Sequence, residues 1–227
     1  MQPLWPFPGP DVKPSAEGCT PVGPGRGLPV GQPRESVDNP AGIKYIDTMK
    51  PHETIALFDE YLFSKGLTLD AVVVGGSALD LLGVISRQTK DCDVLHPALS
   101  DEIAAAAREF AAEQRARGAS LAEDWLNNGP ASLMNDLPEG WVDRLQPVWK
   151  GRAIALQTLG RLDLLRSKMF AWCDRDIDYL DCLALRPTMQ ELAQIAPWLE
   201  ARDGNPDWPA HVRERLAVMA EAIRDGV

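Results

Sequence analysis

The chain has 227 residues and a formal net charge of −10. That length suffices for one domain with a sizeable core, or a core plus a small appendage. The acidic balance excludes a protein that wraps nucleic acid by bulk electrostatics, though not one that grips a single RNA end through a local patch. No apolar run approaches the ~18–20 residues needed to span a bilayer. The N-terminus lacks the basic start and apolar core of a signal peptide, so a cytoplasmic protein away from membranes is expected. Cysteines stand at 19, 92, 173 and 182 without CxxC spacing, which favours reduced thiols over a zinc or disulfide framework.

Residues 1–47 hold ten of the nineteen prolines and seven of the eighteen glycines. Such a segment buries too little apolar area to offset its ordering entropy and is expected to be disordered. Met49 opens ordinary domain sequence and is a candidate native start. Pro51 suits a first helical turn, and Ile55, Phe58 and Leu62 give that helix an apolar face before Gly66 ends it. Residues 69–74 read as a strand, 77–82 as a short helix and 87–95 as a second strand. Ser100 opens an Ala-rich helix to about 117, and residues 119–140 read as irregular, with a turn at Asn127-Asn-Gly-Pro130. Strands are expected near 142–149 and 152–159. Everything after Arg161 reads as helical, with apolar stripes Leu162/Leu165/Met169/Trp172 and Ile177/Leu180/Ala184. Thr188-Met-Gln-Glu191 forms a capping box, and a last helix near Pro209 carries Val212, Leu216, Met219 and Ile223. The fold class expected is α/β (α+β): a core at 48–160 with a small, mixed, mostly antiparallel sheet flanked by helices, and a helical part at 161–227 packed on it.

The chemistry centres on two stretches. Three valines deliver the chain to Gly75-Gly76-Ser77, where glycine lets backbone approach a ligand and a helix start favours phosphate. Plain tight packing is the alternative. In the second strand, Arg87, Thr89, Asp91 and Asp93 alternate onto one face. Carboxylates at i and i+2 lie about 6.5–7 Å apart, a repulsion of roughly 2–3 kcal/mol at an effective dielectric near 20. A cation relieves it, and Mg²⁺ (or Mn²⁺) accepts one or two carboxylates plus phosphate oxygens. Pairing of Asp91 with Arg87 or Lys90 at an exposed strand end is the alternative.

Together, Gly75-Gly76-Ser77 and Asp91-Cys-Asp93 resemble the DNA polymerase β-like nucleotidyltransferase superfamily. Adding Asp163-Leu-Leu-Arg-Ser-Lys168 and Arg175-Asp-Ile-Asp178-Tyr-Leu-Asp181, the chain is similar over about 50–225 to small bacterial nucleotidyltransferase-like proteins. These are related to the toxins of abortive-infection toxin–antitoxin systems. The resemblance implies transfer of a nucleoside monophosphate from an NTP to an RNA end such as tRNA, a protein or a small-molecule hydroxyl, with release of pyrophosphate. It implies Asp91 and Asp93 as catalytic metal ligands and Gly75, Gly76 and Ser77 at the nucleotide phosphates. Lys168 would reach the triphosphate, and Asp178 would position that lysine or a substrate hydroxyl. It also implies a cognate toxin or antitoxin as partner. One continuous helix would put Lys168, Arg175 and Asp178 within about 80° of one face, suited to phosphate. A third carboxylate that many active members carry is missing: the strand 152–159 has no acid and Gln157 stands at the expected position, so either Asp143 or Asp163 serves instead, or the base is dispensable, or catalysis is weak or lost. Two other classes therefore stay open: a weak or inactive nucleotide-binding, antitoxin-like module, and a ligand-free interaction protein using some of the seven tryptophans.

Overall fold

The computed structural model describes residues 49–86, 89 and 91–226. Expectations for 1–47, for a start at Met49, and for Arg87 lie outside the described residues.

Helix α1 (Pro51–Lys65) starts with proline at its first turn. Two of its free N–H groups find carboxylates: Lys50 N–H donates to Glu53 (3.3 Å) and His52 N–H to Asp80 (3.2 Å). Gly66 closes it at φ +67°. Strand β1 (Leu69–Val74) runs into α2 (Gly75–Leu81), then come β2 (Cys92–His96) and α3 (Asp101–Ala116). The Ser100 side chain accepts from Ile103 N–H to cap α3. A two-residue strand β3 (Leu126–Asn127) and two 3-10 turns lead to β4 (Gln146–Lys150) and β5 (Ile154–Thr158). The helical part is α4 (Arg161–Arg175), α5 (Tyr179–Ala184), α6 (Met189–Glu200) and α7 (Trp208–Arg224). Among the described residues no helix is long and apolar enough to cross a membrane.

The sheet has the order β3-β2-β1-β5-β4. β1 pairs parallel with β5 and β2 parallel with β3, while β1–β2 and β4–β5 are antiparallel. The sheet is thus mixed, as expected, with its two pairing modes evenly represented. Its faces carry separate apolar clusters. Ala71, Val73, Val94 and Leu156 pack with Phe58 of α1, Phe110 of α3 and Trp125. Val72, Val74 and Leu95 pack with Leu165, Met169, Ile195 and Met219 of the C-terminal helices. Burying each such side chain contributes about 1.5–3 kcal/mol.

Three expectations change. The second strand begins at Cys92, so Thr89 and Asp91 precede it and the alternation argument covers only Asp93. The expected strand 142–149 is a 3-10 turn (Trp141–Arg144) followed by β4. The stripe Ile177/Leu180/Ala184 does not face the core: Ile177 is 48% and Leu180 72% exposed, and Asp181 and Cys182 are buried instead. A buried charge elsewhere forces that reversal, as the site shows below.

Two polar clamps fix the sheet and the bundle. The buried Asp59 carboxylate accepts N–H bonds from Arg152 (2.9 Å), Ala153 (3.0 Å) and Ile154 (2.6 Å) at the β4–β5 hairpin. Gly151 sits so close that a Cβ would collide with it. Asp59→Ala leaves three donors without that partner, and urea titration should show a loss of about 2–3 kcal/mol. In the second clamp Arg161 of α4 grips Glu191 of the α6 capping box through two nitrogens (2.5 and 3.1 Å). That contact holds Glu191 at about 2, below its ordinary 4.5. A depressed carboxylate contributes stability that is present above the unfolded value and lost as pH falls through the folded one. Glu191→Gln should therefore flatten the fall of Tm with acid between about pH 4.5 and 2, read by circular dichroism melts.

Candidate nucleotide and metal site

The end of β1 builds the site. Val74 lies in register with Asp93 of β2, so the two side chains share the face that looks toward α4. The next residue, Gly75, turns at φ +75°, and a Cβ on it would stand 2.7 Å from Asp93 Oδ2. Glycine is needed twice here, for the left-handed backbone and for the space. Ser77 is buried, and its hydroxyl donates to the Asp91 carbonyl and meets Thr89 Oγ1 at 3.0 Å. That bond ties the start of α2 to the residues before β2 and keeps Asp91 beside the glycine turn. Ser77 and Thr89 thus spend their hydroxyls on the loop, while Gly75 and Gly76 offer backbone.

Asp91 is exposed and Asp93 half-buried. Burial first, then the Asp91 charge, push Asp93 above its ordinary value. The neighbouring Asn127 amide and the charges of Lys168 and Arg175 pull it back. Cys92, between the two acids, faces the opposite cluster, and burial pushes its thiol up to about 12, so it is no thiolate ligand at neutral pH.

Helix α4 supplies the cations. Lys168 is 5% exposed, with its ammonium 2.8 Å from Asp181 and 3.4 Å from Asp178. The helix ends at Arg175, and Asp176 and Asp178 turn at φ 56° and 71°. Asp178 is therefore not on the Lys168 helix, contrary to the one-helix expectation. The turn folds it back onto the lysine all the same. Arg175 is exposed and lies 3.9 Å from Asp174. Seven residues after Lys168, it shares that helix face. Four further arginines are engaged by carboxylates: Arg144 and Arg166 hold Asp163 (2.7 and 2.6 Å), Arg152 holds Glu60 and Arg161 holds Glu191.

These elements match a known sequence pattern. The family described as "Nucleotidyltransferase of unknown function (DUF6036)" matches residues 53–192. The chain belongs to this family. No curated protein and no solved structure gives a significant match. The matched span runs from α1 to the first turns of α6, so it contains Gly75, both aspartates and all the α4 and α5 residues of the site.

Asp91 and Asp93 are two neighbouring carboxylates, one half-buried and raised in pKa first by that burial and then by the charge of the other. Among the described residues no group of three or more His, Cys, Asp or Glu is placed to hold a metal. Two carboxylates with room for phosphate oxygens and water suit Mg²⁺ or Mn²⁺, and do not suit zinc. Gln157 lies in register with Val72 of β1, on the face shared by Val74 and Asp93. Asp163 is fully buried with both oxygens in ion pairs, and Asp143 is exposed on the 3-10 turn.

Sequence reasoning missed two residues. Asp181 was visible in the Asp178-x-x-Asp181 spacing, which puts both acids one turn apart. Asn127 read only as a turn residue, and nothing local distinguishes it. Gly75→Ala should displace the Asp93 carboxylate and cost about 1–3 kcal/mol through the left-handed backbone. Urea unfolding measures the cost, and Mn²⁺ titration should show weaker binding than in the wild type.

Proposed function

We propose that the chain is a divalent-metal-dependent nucleotidyltransferase, moving a nucleoside monophosphate from an NTP to an acceptor hydroxyl. The observation that carries this reading is the Asp91/Asp93 pair at the Gly75 turn, with Asp93 on the sheet face that packs against α4. Asp91 and Asp93 would hold Mg²⁺ or Mn²⁺, which when bound neutralises phosphate charge and polarises the phosphoryl group. Arg175, the more open cation, would take a phosphate oxygen. Lys168, held between Asp178 and Asp181, would add its field from below. The acceptor oxygen bonds to the α-phosphorus as the bond to pyrophosphate breaks. Gln157 cannot take the acceptor proton, so that proton leaves to water or to a phosphate oxygen. With Arg144, Arg152, Arg161 and Arg166 all engaged by carboxylates, an acceptor that offers one hydroxyl suits the surface better than a long polyanion. A tRNA end, a protein side chain and a small molecule all meet that condition. A cytoplasmic setting and a toxin–antitoxin partnership are compatible extensions of the same reading.

A second reading has its own support. The neutral Gln157 on the Asp93 face favours a nucleotide-binding module of weak or no turnover, in the manner of an antitoxin.

Thermal unfolding of the full chain with each NTP, with and without Mg²⁺, tests both. On the first reading, metal and one NTP together raise Tm by about 5–10 °C at 100-fold excess over Kd, and pyrophosphate appears with a suitable acceptor. A shift without turnover across acceptor classes selects the second reading. Asp91→Asn with Asp93→Asn should remove the shift and leave the ligand-free Tm equal or slightly raised, because a like-charge pair is relieved. A double variant that fails to fold overturns the metal site.

A further inference from the structure

Two adjacent asparagines close the β3 edge of the sheet, and their side chains do different work. Asn128 spends everything on backbone: its amide donates to the carbonyls of Val94 (2.9 Å) and Pro97 (3.0 Å), and its oxygen accepts from Leu99 N–H (2.8 Å). It staples the end of β2 to the start of the next loop. Asn127 lies in register with Asp93 across the β2–β3 pair. Its Oδ1 accepts from Gly129 N–H at 2.7 Å, a tie that needs glycine, since a Cβ on Gly129 would stand 2.8 Å from that oxygen. With the oxygen committed, the amide nitrogen has a fixed direction. One of its hydrogens points to the Asp124 carbonyl at 3.4 Å, and the register sets the amide beside the Asp93 side chain, whose carboxyl it draws down.

We propose that Asn127 is a positioning residue that aims the Asp93 carboxylate at a divalent cation. The inference rests on the metal-dependent reading above. A carboxylate on a short edge pairing has two free torsions. An amide held by Gly129 and set beside that carboxylate by the register offers it a donor on one side and leaves its other directions for a cation. The donor is neutral, so it orients the acid without cancelling the charge that attracts the metal, which a lysine in its place would do. Outer partners of this kind change metal affinity by about 10–100-fold when removed.

The test is Mn²⁺ binding to the full chain, read by electron paramagnetic resonance, beside ligand-free Tm. Asn127→Ala is expected to weaken Mn²⁺ binding by about 10–100-fold with little change in Tm. Asn128→Ala is expected to lower Tm and leave Mn²⁺ affinity at the wild-type value. Asn127→Ser keeps an acceptor for Gly129 N–H but is too short to serve Asp93 as well, and should show the same loss should the alanine variant fold poorly. Wild-type affinity in either Asn127 variant overturns the assignment, as does an Asn128 variant that loses metal equally. A wild-type chain that binds no Mn²⁺ sinks the metal-dependent reading itself and this inference with it. The variants therefore separate the two failures.

Discussion

The contact between Gly75 and Asp93 is the constraint on which the site depends. It exists because Val74 and Asp93 are register partners, and that register is set by an irregularity. Val72 faces His96 while Val73 faces Val94, so Leu95 is an extra residue in the pairing. A bulge of this kind shifts the partner strand by one residue. Without it, Val74 would face Val94 and the aspartate would move beyond the strand end. A one-residue slip also exchanges the faces of a strand. Asp93 would then turn toward Phe58 and Trp125 instead of toward α4. The bulge thus decides which cluster the carboxylate meets, and glycine at 75 decides how closely the backbone may follow it.

The second constraint is the buried ammonium of Lys168. An unpaired charge at 5% exposure would be unstable or neutral. Asp178 and Asp181 supply the counter-charge, and this dictates the orientation of α5. Leu180 and Asp181 are consecutive and point about 100° apart, so the face of this short helix that buries the acid leaves the leucine outside. The acid goes in and Leu180 goes out, at 72% exposure. Two residues with left-handed backbone, Asp176 and Asp178, make the turn tight enough for this. Aspartate tolerates that conformation better than a branched residue would. Arg215 holds Asp176 at 2.8 Å and lies over Trp172, so α7 braces the turn from behind.

Local signals were legible in the sequence because local physics carries them. Pro51, Gly66, Ser100 and the Thr188–Glu191 box place helix ends through bonds within a few residues, and the structure has them there. The pairing of Gly75-Gly76-Ser77 with an acidic strand was also legible, since strand, turn and strand adjoin in sequence. What was hidden depends on partners far along the chain. The bulge follows from how β1 and β2 settle against two different cores. The reversal of α5 follows from Lys168 in another helix, and apolar periodicity read within 177–184 alone points the wrong way. The role of Asn127 follows from a two-residue edge strand with almost no sequence signature. The extent of β2 was overread because Thr89 and Asp91 alternate correctly, yet they bond to Ser77 rather than to a neighbouring strand.

Charge ties these features to the proposed chemistry. The chain carries −10 overall, so its long-range field opposes an approaching triphosphate. Most of the arginines around the core are already engaged by carboxylates, and Lys168 is balanced by two acids. Arg175 alone cannot offset a triphosphate. A divalent cation changes that balance, since a metal-bound nucleotide presents two fewer negative charges to the acidic surface. On the proposed reading it would also meet Asp91 and Asp93 and relieve their repulsion. Asn127, the register neighbour of Asp93, and Gln157, farther along the same face, are both neutral amides and would leave the pair's attraction for a cation undiminished. On the proposed function, the metal would be needed for capture of the nucleotide as much as for the transfer step.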